Sequence, residues 1–226
     1  MTELAALSTD YEVVEGEPPE LLGRNLVSAG HMFTSASAFF FMAFVFAYFY
    51  LRSLNNAGMF HPKHVDAPVG WGTAVMVLTV LSAVLARLGL ADQRAGRRPQ
   101  WRQKGSLALV LGLAAIVVQA VEWATLDFGP ASGGFASVFY GWTAFMVLFA
   151  AGAMFWLETL VATAVRYRNQ ATPTVPPGHA SGDPDRPGSD IANPLTVIRP
   201  GLEAFSFFWT FLAGVSVLAW VVLYLI

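Results

Sequence analysis

The chain has 226 residues, of which 55% are hydrophobic and only 12% charged, with a formal net charge of −2. Soluble domains carry about 25% charged residues, so the composition argues against most soluble-enzyme readings and points to a chain whose solvent is largely lipid. There is no cysteine, which excludes disulfides, thiolate catalysis, zinc–cysteine sites and iron–sulfur clusters.

Residues 1–22 read as a solvated acidic tail. Glu3, Asp10, Glu12, Glu15, Glu17 and Glu20 fall there with no basic leader and no apolar core, which is not the pattern of a signal peptide. Five apolar runs follow, at about Leu26–Leu51, Trp71–Leu90, Ser106–Leu126, Phe135–Val165 and Leu202–Ile226. A hydrocarbon core about 30 Å thick needs about 20 helical residues, and each run suffices. The expected fold is an all-α membrane protein with five transmembrane helices. Helices 1–4 occupy 23–166, a cytoplasmic linker 167–200, and helix 5 residues 201–226. The linker is rich in Pro, Gly, Asp and Ser and reads as irregular and mobile.

Lys and Arg sort by loop. Arg94, Arg97, Arg98, Arg102 and Lys104 follow the second span, Arg166, Arg168, Arg186 and Arg199 follow the fourth, and Arg24 precedes the first. The remaining two loops share only Arg52 and Lys63. Short basic loops stay cytoplasmic, so the N-terminus is expected inside and the C-terminus outside. The pattern suits a multi-pass protein of a bacterial-type cell (inner) membrane. Topology accounts for the loop cations, and no nucleic-acid surface is read from them.

His31, Arg87, Glu122, Glu158 and Glu203 are the ionisable residues assigned to the spans. Such groups are costly in lipid and are functional candidates by default. Arg87, Glu158 and Glu203 lie toward the cytoplasmic face, where structural or interfacial roles are expected, including an ion pair of Arg87 with Glu158 or Glu203. Gln119, Glu122 and Trp123 stand at i, i+3 and i+4 on one helix face. They read as interhelical or interface hydrogen-bonding groups with Trp123 as an interfacial anchor; proton transfer at Glu122 is the alternative. His31 is the single histidine within a span, and a lone histidine on an apolar helix reads as a structural group. His61 and His64 flank Pro62-Lys63, and the proline opposes helical i, i+3 ligation. No catalytic, cofactor-binding or metal-ligating residue is assigned to this chain. No Walker loop, dinucleotide turn or serine elbow occurs.

A small membrane transporter or channel is the competing class. Transporters tend to show duplicated halves, broken spans and polar midplane groups. The interiors here carry small uncharged residues such as Thr34, Ser37, Thr79 and Ser82, which suit close helix packing.

Several segments carry a family resemblance. They are Ala36-Ser37-Ala38-Phe39-Phe40-Phe41 with Ala47-Tyr48-Phe49; Gln119-Ala120-Val121-Glu122-Trp123; Phe139-Tyr140-Gly141-Trp142-Thr143; and Trp209-Thr210-Phe211 followed by Trp220-Val221-Val222-Leu223-Tyr224-Leu225. In order and spacing, over about residues 22–226, the chain resembles subunit III of the haem–copper oxygen reductases, the cytochrome c oxidase family, in its five-helix form. Gln119, Glu122 and Trp123 match that family's Gln-x-x-Glu-Trp motif in full. Ser37 stands where the family usually has a membrane glutamate, Tyr140 and Thr143 replace two histidines, and Thr210 and Ala213 replace a histidine and an aspartate.

The resemblance implies a non-catalytic subunit of a membrane terminal oxidase in aerobic respiratory electron transport. Its partners would be oxidase subunits I and II and membrane lipids, with haem and copper on those partner subunits and no cofactor on this chain. It further implies phospholipid bound in a cleft between helix groups, part of which the five-helix form lacks. Accessory subunits of quinol oxidases or nitric oxide reductases are related alternatives.

Overall fold

A computed structural model of the protein describes residues 19–55, 58–169 and 198–226. The readings made for residues 1–18 and for 170–197, as acidic tail and irregular linker, lie outside these. Five helices follow in order: α1 (Pro19–Ser53), α2 (Val69–Arg94), α3 (Arg98–Thr125), α4 (Gly134–Arg166) and α5 (Ile198–Trp220). A π-helical turn, Val221–Leu225, continues α5. No strand occurs among the described residues. Each of the five helices is long and apolar enough to cross a membrane, the five-span reading of the sequence.

The helices outrun the apolar runs that announced them. α1 begins at Pro19, inside the stretch assigned to the tail, and α5 begins at Ile198 rather than 201. α2 runs to Arg94 and α3 starts at Arg98, so the basic stretch read as an inter-span loop is mostly helical. The reason is physical: hydropathy falls where the lipid ends, whereas backbone hydrogen bonding continues, and Arg, Lys and Gln are good helix formers. The turn between α2 and α3 needs only Ala95–Arg97. Gly96 adopts φ 74° there, a backbone that glycine enters at little cost. Pro99 sits in the first turn of α3, where its missing N–H is harmless.

α5 is the most enclosed helix and packs on α1, α2 and α4, while α2 and α3 form the most extensive pair. Small residues allow close approach. A Cβ on Gly30 of α1 would fall 2.8 Å from Ala204 Cβ of α5. Such contacts replace a hydrophobic driving force that lipid does not supply. Ser82 of α2 donates to the Ala108 carbonyl of α3 at 2.6 Å and accepts from Trp209 Nε1 of α5 at 3.0 Å. One fully buried hydroxyl thus joins three helices.

The loops meet at two ends. At one, the α1–α2 loop caps α4: the N–H groups of Gly134 and Phe135 donate to the carbonyls of Met59 and Phe60 at 3.3 and 2.7 Å. These are donors that a helix N-terminus otherwise leaves unpaired. The other end collects the α2–α3 turn, the end of α4 and the start of α5, and with them most of the cations.

Candidate functional site

The best-defined polar site lies near the loop-capped end, between α2, α3 and the π-helical turn. Glu122 of α3 is 0% exposed. Gln119, one turn earlier, donates from Nε2 to Glu122 Oε2 at 2.7 Å. Tyr224, on the π-helical turn, donates its hydroxyl to Oε1 at 2.8 Å. Each carboxyl oxygen therefore has a donor. Both donors are neutral, so orientation rather than ion pairing holds the group. Gly72 of α2 faces the Tyr224 ring so closely that a Cβ there would overlap it. The missing side chain is what admits the phenol. Thr125 donates to the Glu122 carbonyl at 2.9 Å, closing the last turn of α3.

Trp123 uses the adjoining face. Its Nε1 donates to Thr143 Oγ1 of α4 at 3.0 Å, and Thr143 donates to the Phe139 carbonyl at 2.7 Å. Tyr140 donates to the Phe128 carbonyl at 2.9 Å. Gln119, Glu122 and Trp123, grouped by spacing alone, are thus brought to one region but serve two joints, α3 to the α5 end and α3 to α4.

A cavity of about 540 Å³ opens at this end, lined by Tyr48, Arg52, His61, Asp66, Phe135 and Tyr224 among others. Tyr224 stands between it and Glu122. Arg52 donates to the Ile226 carbonyl at 3.0 Å, tying α1 to the end of the chain. His61 Nε2 lies 3.6 Å from Asp66 Oδ1. A second, apolar groove of about 370 Å³ is bounded by Phe33, Leu148, Phe149, Gly152, Trp156 and Phe208.

The basic end is organised by two carboxylates. Asp92, 3% exposed, accepts from Arg97 and from Lys104, each at 2.5 Å. Glu203 accepts from Arg94 at 3.1 Å and Arg199 at 3.4 Å. The expected ion pair of Arg87 with Glu158 or Glu203 does not form. Arg87 Nε donates instead to Thr210 at 2.8 Å, because Arg94, two turns further along α2, is the residue level with Glu203. Glu158 is exposed on α4 and makes no hydrogen bond or ion pair among the described residues. His31 lies edge-on to the Phe207 ring, centroids 4.3 Å apart. No three His, Asp or Glu side chains among the described residues converge to hold a metal.

Sequence reasoning did not name Tyr224, Thr143, Gly72, Ser82 or Trp209 as members of polar joints. Their partners lie on other helices, and no local spacing records such pairings. Asp92 was also missed. The one signal available was an acid between the end of an apolar run and five cations. Neither a comparison with protein-family models nor one with curated proteins finds a match for this chain.

Proposed function

We propose that the chain is the non-catalytic subunit III of a membrane terminal oxidase of the cytochrome c oxidase kind, carrying no redox centre itself. Haem and copper reside on its partners, subunits I and II. This chain packs beside the redox subunit, stabilises it, and shapes lipid or oxygen access to it. The basic end faces the cytoplasm of a bacterial-type cell, by the positive-inside rule.

The observation that carries this reading is the division of labour between inside and outside. The polar contacts that cross between helices join this chain's own helices: Gln119–Glu122–Tyr224, Trp123–Thr143, Ser82 with Trp209, Thr73 with Trp220 and Arg87 with Thr210, while Thr34, Ser37 and Thr79 bond back to carbonyls of their own helices. The exterior is left to large apolar side chains, Phe39 at 82% exposure and Phe46 and Phe155 at nearly 70% among them. Such a body offers packing surface rather than a polar path. The residues of the Gln-x-x-Glu-Trp motif also sit at the joints of the bundle, as a scaffold role requires.

Deletion of the chain tests the reading. Membranes lacking it should retain oxidase haem, but the solubilised oxidase should lose activity faster during turnover. Unchanged haem content together with unchanged decay of activity would oppose a stabilising role.

A further inference from the structure

Before its last turn, the exterior of α4 carries a single ionisable side chain, Glu158. Leu148, Ala151, Phe155, Glu158, Ala162 and Val165 are all exposed and succeed one another at alternating steps of three and four, the spacing of a helix–helix seam. Leu148 and Phe155 are 62% and 68% exposed, and two alanines leave hollows between the large residues. The apolar groove of about 370 Å³ adjoins the seam at Leu148 and Gly152. Glu158 lies within the seam. Two turns of helix, about 12 Å, separate it from Arg166 in the last turn of α4. The other carboxylates in the described spans are held: Asp92 by Arg97 and Lys104, Glu122 by Gln119 and Tyr224, Glu203 by Arg94 and Arg199.

We propose that this face of α4 is the docking surface for a transmembrane helix of a partner subunit, which presents an Arg or Lys to Glu158. This rests on the reading of the chain as an accessory subunit and names the surface it uses. Charge selects the occupant. A lipid-facing surface requires no carboxylate, and a two-methylene stem reaches head groups less well than the Lys and Arg stems that snorkel. A second copy packed through the same seam would set two Glu158 carboxylates against each other, since a two-fold contact pairs a residue near the axis with its own equivalent. A helix bearing a cation satisfies the carboxylate and fills the hollows at Ala151 and Ala162.

The test uses the complex solubilised in mild detergent. It compares wild-type chain, Glu158→Leu, Glu158→Gln, and Leu113→Ala on the exposed face of α3 as a control. Ala162→Cys, the sole cysteine, serves as a cross-linking site in each. Glu158→Leu should lower recovery of the chain with its partner by about tenfold, the scale of one desolvated hydrogen bond to a charged group. Glu158→Gln should lower it less and Leu113→Ala not at all, with the melting temperature of the isolated chain unchanged in all three. The cross-linked partner peptide should be an apolar helix containing Lys or Arg. Equal recovery of wild-type and Glu158→Leu would overturn the proposal, as would cross-linking of Ala162→Cys to a second copy of this chain. Haem on the recovered partner is scored separately. A haem-free partner whose recovery depends on Glu158 leaves the docking surface standing and removes the oxidase reading.

Discussion

Tyr224 donates its hydroxyl to Glu122 Oε1 at 2.8 Å across a sequence separation of 102 residues. The bond links the end of the last span to α3, and the Gln119 amide on the other oxygen completes the pair of donors. A carboxyl held this way is expected to act as a structural hydrogen-bonding group. Glu122→Gln should keep the complex assembled and turning over at close to the wild-type rate. Glu122→Leu should leave Tyr224 and Gln119 without an acceptor and cost roughly 1–3 kcal/mol in a dry site. Thermal melting, and turnover of the terminal-oxidase complex proposed above, measured on both variants, check this. An assembled Glu122→Gln complex with strongly reduced turnover would assign proton transfer to the group instead.

The close approach of Gly72 to the Tyr224 ring makes a second prediction. Gly72→Ala should destabilise the chain by about 1–3 kcal/mol, the usual cost of overpacking, by pushing the phenol away from Glu122. Tyr224→Phe should destabilise by about 1 kcal/mol, the net worth of one hydrogen bond. Because both act on one contact, their effects should fall short of additivity in the double variant. Strict additivity in a double-mutant cycle of melting free energies would show that Gly72 does not act through Tyr224.

Much of this was legible in the residues. Runs of 20 or more apolar side chains announce spans whatever their neighbours are, and all five were found. The shared face of Gln119, Glu122 and Trp123 follows from helical spacing. The partners of that face did not follow, because Tyr224 and Thr143 lie on other helices and only packing brings them near. The ends of α2 and α3 were misplaced because apolarity stops at the membrane edge while the helix goes on to Arg94 and starts again at Arg98. The same misplacement put Asp92 outside the spans and hid its contacts with Arg97 and Lys104. Arg87 was matched to the wrong partner since depth alone cannot distinguish two cations two turns apart on one helix.

Ser82 offers a third prediction. Its hydroxyl serves both the Ala108 carbonyl and the Trp209 indole, so Ser82→Ala leaves a fully buried donor unpaired at the crossing of α2, α3 and α5. The expected loss is about 1–3 kcal/mol, read as a lowered melting temperature in detergent. Thr79→Ala should cost much less, since Thr79 bonds only the Val75 carbonyl of its own helix. Equal losses would remove Ser82 from its place at the crossing.

The orientation in the membrane is open to labelling, because the native chain has no cysteine to interfere. In intact cells, Gly96→Cys should resist a membrane-impermeant thiol reagent and Ser132→Cys should react. The reverse pattern would overturn the positive-inside assignment.

The central claim is that this chain belongs to a terminal oxidase, and one spectrum tests it most directly. The full-length chain is purified from its native membrane in mild detergent, and a reduced-minus-oxidised spectrum is taken of whatever accompanies it. The account predicts haem absorption in fixed proportion to the chain, carried by larger partner chains and lost when those are stripped away. A pure preparation of intact chain with no associated haem would contradict it.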